Sequence, residues 1–287
     1  VTDMQSVFYE ATLFNQPLNN WDVSNVTNME YTFYEAAAFN SDTSTWNTGN
    51  VTTMYRMFSH ATAFNQPLNN WNVGNVTVMD KMFAGATAFN QPLDAWDTSQ
   101  VGINDNMGGM KEMFNGATMF NQPLNNWNVS NVTGMGGMFL LATSFNQPLN
   151  NWDVSNVQAM WGMFYATPFN QPLNNWNTNS VLSMQSMFVG ARQFNQPLNN
   201  WNTSSVMNMS GMFVGADAFN QSLAAWDVSN VEDMSMMFNK DPIGPAQPFN
   251  QLFPAGLSTA NYDATLASWH QQDLQDDVVF DAGTSTY

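Results

Sequence analysis

Hydrophobic and polar positions recur along this chain with a spacing near 25 residues. Trp21, Trp46, Trp71, Trp96, Trp127, Trp152, Trp176, Trp201 and Trp226 are separated by 25, 25, 25, 31, 25, 24, 25 and 25. The unit reads W-[DN]-[VT]-x-x-V-x-x-M-x-x-M-F-x-x-A-x-x-F-N-Q-P-L-N-N. A fixed period of this length predicts stacked coils, because one unit alone cannot bury its apolar side chains. Val1 and Met4 match Val26 and Met29, so residues 1–20 read as the tail of an earlier unit. The chain is therefore expected to begin inside a repeat, as a fragment or processed product does.

Each unit divides into three stretches. Leu68, Trp71 and Val73 form an extended segment with Trp71 and Val73 inward and Asn72 and Gly74 outward. Val76, Met79, Met82, Phe83 and Ala86 follow at offsets 3, 6, 7 and 10, the face of a short α or 3-10 helix. Phe89 to Leu93 form a return loop, in which Pro92 blocks helix continuation. The predicted fold is an α/β repeat solenoid, leucine-rich-repeat-like, of about ten 25-residue coils. Each coil is a short parallel strand plus a short helix or 3-10 turn. Residues 1–253 make the solenoid, with incomplete first and last units, and residues 254–287 make a C-terminal cap that reads as truncated. In the cap, Ser258 or Thr259 starts a helix over 260–272 with Tyr262, Leu266 and Trp269 on one face. Val278-Val279-Phe280 reads as a last strand.

Two places break the period. The fourth unit carries six extra residues near 102–107 (GINDNM), a surface loop in this reading. The sixth lacks one residue around Tyr165-Ala166. The asparagine after the second Phe recurs at Asn15, Asn40, Asn65, Asn90, Asn121, Asn146, Asn170, Asn195, Asn220 and Asn250. It predicts a buried structural ladder, with side-chain amides satisfying backbone groups at the loop bend. The methionines, spaced on the apolar face beside Phe, read as core filler.

Composition narrows the function. Five Lys/Arg against 22 Asp/Glu give 5 − 22 = −17, yet only 9% of residues are charged. Scattered cations make no basic patch, which excludes nucleic acid. No cysteine is present, so disulfides and thiolate metal sites are excluded. No apolar run is long enough to insert into a membrane. His60 and His270 are the only histidines, and no base, orienting partner and polarising group fall together. The chain is read as a non-enzyme with no cofactor and no metal; Asp273, Asp276 and Asp277 lack EF-hand spacing.

Binding must then come from an array. One column on the outward strand side is Asp22, Asn47, Asn72, Asp97, Asn128, Asp153, Asn177, Asn202 and Asp227. Such a uniform polar face suits a repetitive ligand, or it merely holds turns. A second array, Thr12, Thr62, Thr87, Thr118, Thr143 and Thr167, follows the repeat alanine. It would make a row of hydroxyls spaced by about 4.8 Å, suited to ice, or it caps helix ends. Residues vary most at Glu30-Tyr31, Tyr55-Arg56, Asp80-Lys81, Lys111-Glu112 and Trp161-Gly162, which are expected to be exposed. Trp161 is either an exposed contact or a lid on the core rim. Sequons at Asn25, Asn50, Asn75 and Asn131, among others, are possible N-glycosylation sites.

The run FNQPLNNWDVSNV at residues 145–157, continuing into Met160, Met163 and Phe164, resembles BspA-like leucine-rich-repeat surface proteins. The match is to the subgroup whose repeat is also known as the mycoplasma surface-lipoprotein repeat. Residues 257–269 and 280–287 resemble that family's closing segment. The second unit departs from the pattern, with Ser41-Asp42-Thr43 in place of Gln-Pro-Leu. The resemblance implies an extracellular or cell-surface protein that binds protein or glycan, and no catalytic residues. The expected function is a non-enzymatic adhesion or scaffolding module acting through repetitive polar faces. The alternatives are an ice-binding protein using the Thr row and a self-assembling filament or surface-layer component.

Overall fold

The computed structural model describes residues 1–103, 108–239 and 256–280. The apolar positions go where the pattern sends them. Val76, Met79, Met82, Phe83, Ala86, Phe89, Leu93 and Trp96 are all buried, as are their equivalents in neighbouring coils. Like side chains stack on like. Phe33 lies 5.5 Å from Phe58 and Phe58 lies 5.7 Å from Phe83, while Trp46 lies 6.1 Å from Trp71, all nearly parallel. Offset stacking of this kind is favourable beyond the area it buries.

The backbone is not the predicted one. No helix forms over 76–86 and no strand over 68–74. Among the described residues the one helix is α1 (Thr259–Trp269), and parallel pairing is reduced to single-residue bridges such as Asn28 with Thr53 and Thr53 with Val78. The α/β leucine-rich-repeat-like solenoid is therefore corrected: the repeats are present, but among the described residues the coils have neither strand nor helix.

The hydrogen bonds explain why. The N–H groups of Met79, Lys81, Phe83 and Gly85 donate forward to the carbonyls of Gly109, Lys111, Met113 and Asn115 in the next coil. Between them Met82, Ala84 and Ala86 donate back three residues, to Met79, Lys81 and Phe83. An α-helix would send every N–H back four residues, and a 3-10 helix every N–H back three. The segment is a run of tight turns, so it shares the three-residue spacing that suggested a helix. Lys81 and Gly85 have φ of 58° and 70°, the positive value a type II turn needs at its third residue. Alternate amides thus bond within and between coils, and few are left unpaired.

The Trp–Val segment forms no strand, and the bonds given by the amides in and beside it are local. Trp71 N–H donates to Leu68 and Val76 N–H to Val73. Side chains join the coils there instead. Trp96 Nε1 donates to Leu68 O at 2.9 Å and Asn75 Nδ2 to Gly49 O at 2.7 Å. Thr98 is buried where other coils have valine, and its hydroxyl donates to Asn128 O at 2.9 Å. In the irregular second unit Thr43 fills the leucine position, and its carbonyl still accepts the Trp71 indole at 3.0 Å.

The six-residue insertion splits one backbone position in two. Gly102 N–H donates to Thr77 O in the coil before, and Gly108 O accepts from Thr133 N–H in the coil after. Residues 104–107 lie outside the described residues. In the short sixth unit Thr167 takes the alanine position, since its N–H donates to Phe164 O as Ala142 donates to Phe139 O. The missing residue is therefore the one after Thr167, just beyond the expected Tyr165-Ala166.

At the C-terminal side α1 covers the last coil. Ser258 stands at the N-cap without a side-chain cap bond. Trp269 and Thr265 are buried, and Tyr262 and Leu266 are half-buried. The expected last strand at Val278-Val279-Phe280 amounts to a single bridge between Phe280 and Met234. The 253/254 boundary, Asn250 and residues 281–287 lie outside the described residues.

Candidate functional site

The outward Asx column lies where predicted: eight of its members are exposed, and Asp227 is half-buried beside the cap. Each side chain closes its own turn. Ser24, Gly49, Gly74, Ser99, Ser130, Ser155, Asn179, Ser204 and Ser229 donate N–H to the Oδ1 of Asp22, Asn47, Asn72, Asp97, Asn128, Asp153, Asn177, Asn202 and Asp227. These are Asx turns. The hydroxyls of Ser24, Ser99 and Ser229, and then their N–H groups, hold the Asp22, Asp97 and Asp227 carboxyls below the usual range.

The asparagine ladder is real but half-buried to exposed rather than buried. Asn65, Asn90, Asn121, Asn146, Asn170, Asn195 and Asn220 each donate backbone N–H to the Oδ1 of the preceding ladder asparagine at 2.9–3.0 Å. The following glutamine, Gln91 for example, donates to the same oxygen. The Thr row is also used internally. The hydroxyls of Thr62, Thr87, Thr118 and Thr143 donate to the carbonyls of Ala37, Thr62, Thr87 and Thr118 at 3.3–3.5 Å. Thr167 does not extend that row: it is buried in the alanine column. Beyond it, Arg192 and Asp217 form an ion pair at 2.7 Å. Of the sequon asparagines, Asn25, Asn50 and Asn75 are exposed and Asn131 half-buried. The Nδ2 atoms of Asn50, Asn75 and Asn131, where a glycan attaches, donate to the preceding coil.

The varying residues form the remaining face, and they are less exposed than expected. Glu30, Tyr31, Tyr55, Arg56, Lys81, Lys111, Glu112 and Trp161 are half-buried, and Asp80 and Gly162 are buried. Their side chains run along the stack and cover one another. The Trp161 indole lies against Gly136 and Gly137 of the preceding coil, and a Cβ added at Gly136 would collide with it. It is a lid on the rim, not a free contact.

The first coils of this face carry an aromatic cluster. Tyr9 stacks on Tyr34 at 4.9 Å, and Tyr31 meets Tyr34 and Tyr55 edge-on at 5.6 and 5.2 Å. The guanidinium of Arg56 sits 5.4–5.9 Å from the ring centroids of Tyr55, Tyr31 and Tyr34. A cation over ring faces is attractive through the ring quadrupole. The Glu10 and Glu35 carboxylates raise the Tyr9 and Tyr34 hydroxyls by hydrogen bonding, and burial raises Tyr31. All three therefore remain neutral donors at physiological pH.

Next to the cluster lies a hollow of about 300 Å³. His60 walls one end and Leu141 the other, over Gly85 and Gly116. Arg56 and the Lys81–Glu112 pair, 2.9 Å apart, edge it. Sequence reasoning found Tyr31, Tyr55, Arg56 and Lys81 as variable but missed Tyr9, Tyr34, Ser59 and Asn115. The signal was available, since Tyr34-Glu35, Ser59-His60, Ala84-Gly85 and Asn115-Gly116 vary at another fixed offset in the unit. Among the described residues no three His, Asp or Glu side chains converge as a metal site requires. No helix among them is long and apolar enough to cross a membrane.

Coils that share one backbone and one core, and differ along one face, define a repeat protein. The chain belongs to the family described as Mycoplasma protein of unknown function, DUF285, which matches residues 2–108, 104–182 and 165–251. No curated protein matches it.

Proposed function

We propose that this chain is a non-enzymatic, surface-displayed binding module of the BspA-like kind, acting as an adhesin or scaffold. The observation that carries the reading is the Tyr9, Tyr31, Tyr34 and Tyr55 cluster around Arg56. Tyrosine and arginine dominate recognition surfaces because they offer large, stiff, amphipathic contact area. The cluster stands on a backbone tied to neighbouring coils at every second residue, so little ordering cost remains for binding. The partner is a protein or glycan. The contact face is this variable one rather than the uniform Asx column, whose acceptor oxygens close turns. Family membership supports the surface location, as does the resemblance of residues 145–164 to surface-protein repeats. An array of glycans and extracellular matrix proteins, probed with the purified chain, tests the reading. The expected result is a saturable ligand, and no ligand in any class would reject it.

A further inference from the structure

We propose that the hollow between His60 and Leu141 binds one acidic sugar residue, gripping its carboxylate or sulfate with Arg56, His60 and Lys81. The inference rests on the reading of this face as the binding surface and names its ligand chemistry. The whole chain has five Lys/Arg and two His. Two of the five, and one of the two, line this single hollow.

These three side chains are placed there by the repeat. The column that includes Glu35, His60, Gly85, Gly116 and Leu141 is in step from coil to coil. His60 has φ of 60° and lies over Gly85, whose added Cβ would collide with the imidazole. Beyond it Gly116 has only the backbone of Gly85 near, at 3.7 Å. The missing side chain of Gly85 makes room for the imidazole, and that of Gly116 leaves the floor beyond it open. Arg56 Nε is buried without a hydrogen-bond partner among the described residues. Lys81 gives one bond to Glu112, whose other oxygen accepts from Asn115 Nδ2 at 3.1 Å. An ammonium has three donors, so Lys81 keeps capacity for an anion.

Size and surroundings select the carrier. The volume is at the lower limit for small-ligand sites, about 300 Å³, which suits one monosaccharide. The tyrosines beside it offer ring surface for the C–H face of a sugar and hydroxyls for its oxygens. A polyanion is disfavoured, because its next charges would fall over Glu10, Glu30 and Glu35 on the adjoining coils and meet a chain of net charge −17. At physiological salt, screening over about 8 Å leaves a single anion governed by the local cations.

The test is a titration of the isotope-labelled chain, followed through the backbone amides of Gly85 and Gly116. The probes are glucuronic acid, glucose 6-sulfate, glucose, acetate and N-acetylglutamate amide. The expected result is saturable shifts with one or both acidic sugars, at least tenfold tighter than with glucose or acetate. Arg56→Gln and Lys81→Gln should each weaken them at least tenfold in a chain whose other amides are unmoved. The Lys81 variant keeps the test meaningful if the tyrosines move when Arg56 is changed. Equal response to glucose, no response to either acidic sugar, or unchanged response in both variants overturns the inference. Tighter binding of N-acetylglutamate amide also overturns it, in favour of an acidic peptide. If array binding depends on Tyr34 and Tyr55 while the acidic sugars leave Gly85 and Gly116 unmoved, this inference fails and the broader reading stands.

Discussion

The indole N–H of Trp269 donates to the carbonyl of Leu223 at 3.2 Å, the same bond that Trp226 makes to Leu198 at 3.0 Å. Helix α1 therefore substitutes for a coil. Its neighbours repeat the substitution. Ser258 N–H and Asn261 Nδ2 take the Asn220 oxygens that a ladder asparagine and glutamine would take. Gln275 Nε2 takes Ser229 O, as Asn230 Nδ2 takes Ser204 O. Stacked repeats need such a terminal cover. Trp269→Ala should lower unfolding free energy by about 3–5 kcal/mol, the usual cost of truncating a buried aromatic. Urea denaturation measures it, and a change under about 1 kcal/mol would show that α1 is not the cap.

The ladder asparagines should outweigh their exposed neighbours. Asn121→Ala strands the Asn146 N–H and leaves the Gln147 amide only the Asn121 backbone carbonyl, at a cost of about 1–3 kcal/mol. Asn126→Ala, an exposed site in the same loop, should fall within about 0.5 kcal/mol. Equal effects in the two variants would reject the ladder as a structural element.

Gly102 and Gly116 both have positive φ, 94° and 70°, but differ in space. An added Cβ at Gly102 collides with the Asn131 carbonyl, whereas at Gly116 it meets nothing closer than 3.7 Å. Gly116→Ala should cost about 1 kcal/mol from backbone conformation alone. Gly102→Ala should cost more than about 2 kcal/mol, read as the larger drop in melting temperature. The reverse order would mean that the insertion does not rejoin the stack at Gly102.

Acid should loosen the Asx turns that use aspartate. Asp22, Asp97 and Asp227 are held below their ordinary range by Ser24, Ser99 and Ser229. A depressed folded value means that the contribution is complete above the unfolded value, about 4. It is lost as pH falls through the folded value. Changing all three to asparagine, which closes the same turn at Asn72 and Asn128, should flatten this part of the stability curve below pH about 4. Parallel curves for the two proteins would contradict the assignment.

The repeat and its inward residues were legible in the sequence, and the backbone of the coil was not. The inward set Val76, Met79, Met82, Phe83 and Ala86 was read correctly from spacing alone. Its conformation was not, because a helix and a run of tight turns both return a side chain to one face every three residues. What separates them is the direction of the Met79 and Phe83 amides, which point to the next coil, and spacing is silent about that. Gly85, Gly116, Gly190 and Gly215 share one column and Gly137, Gly162 and Gly211 another. Glycine at such fixed offsets signals positive φ and argues against helix interior. The uniform Asx column was visible as an array, but its turn bonds to Ser24 or Gly74 depend on backbone geometry. Tyr9 and Tyr34, which stack, share one offset in successive units, but Ser59 and Ala84 follow them there, so the column shows no aromatic run.

The central claim is that the varying face, not the uniform one, makes the contact. The direct measurement compares three proteins on one ligand array: the parent chain, Tyr34→Ala with Tyr55→Ala, and Asn72→Ser with Asn128→Ser. Serine keeps the side-chain turn bond at both column positions. The account predicts that the tyrosine variant loses at least tenfold in affinity, while the column variant binds as the parent does and both unfold cooperatively. Retained binding in the tyrosine variant together with loss in the column variant would contradict it.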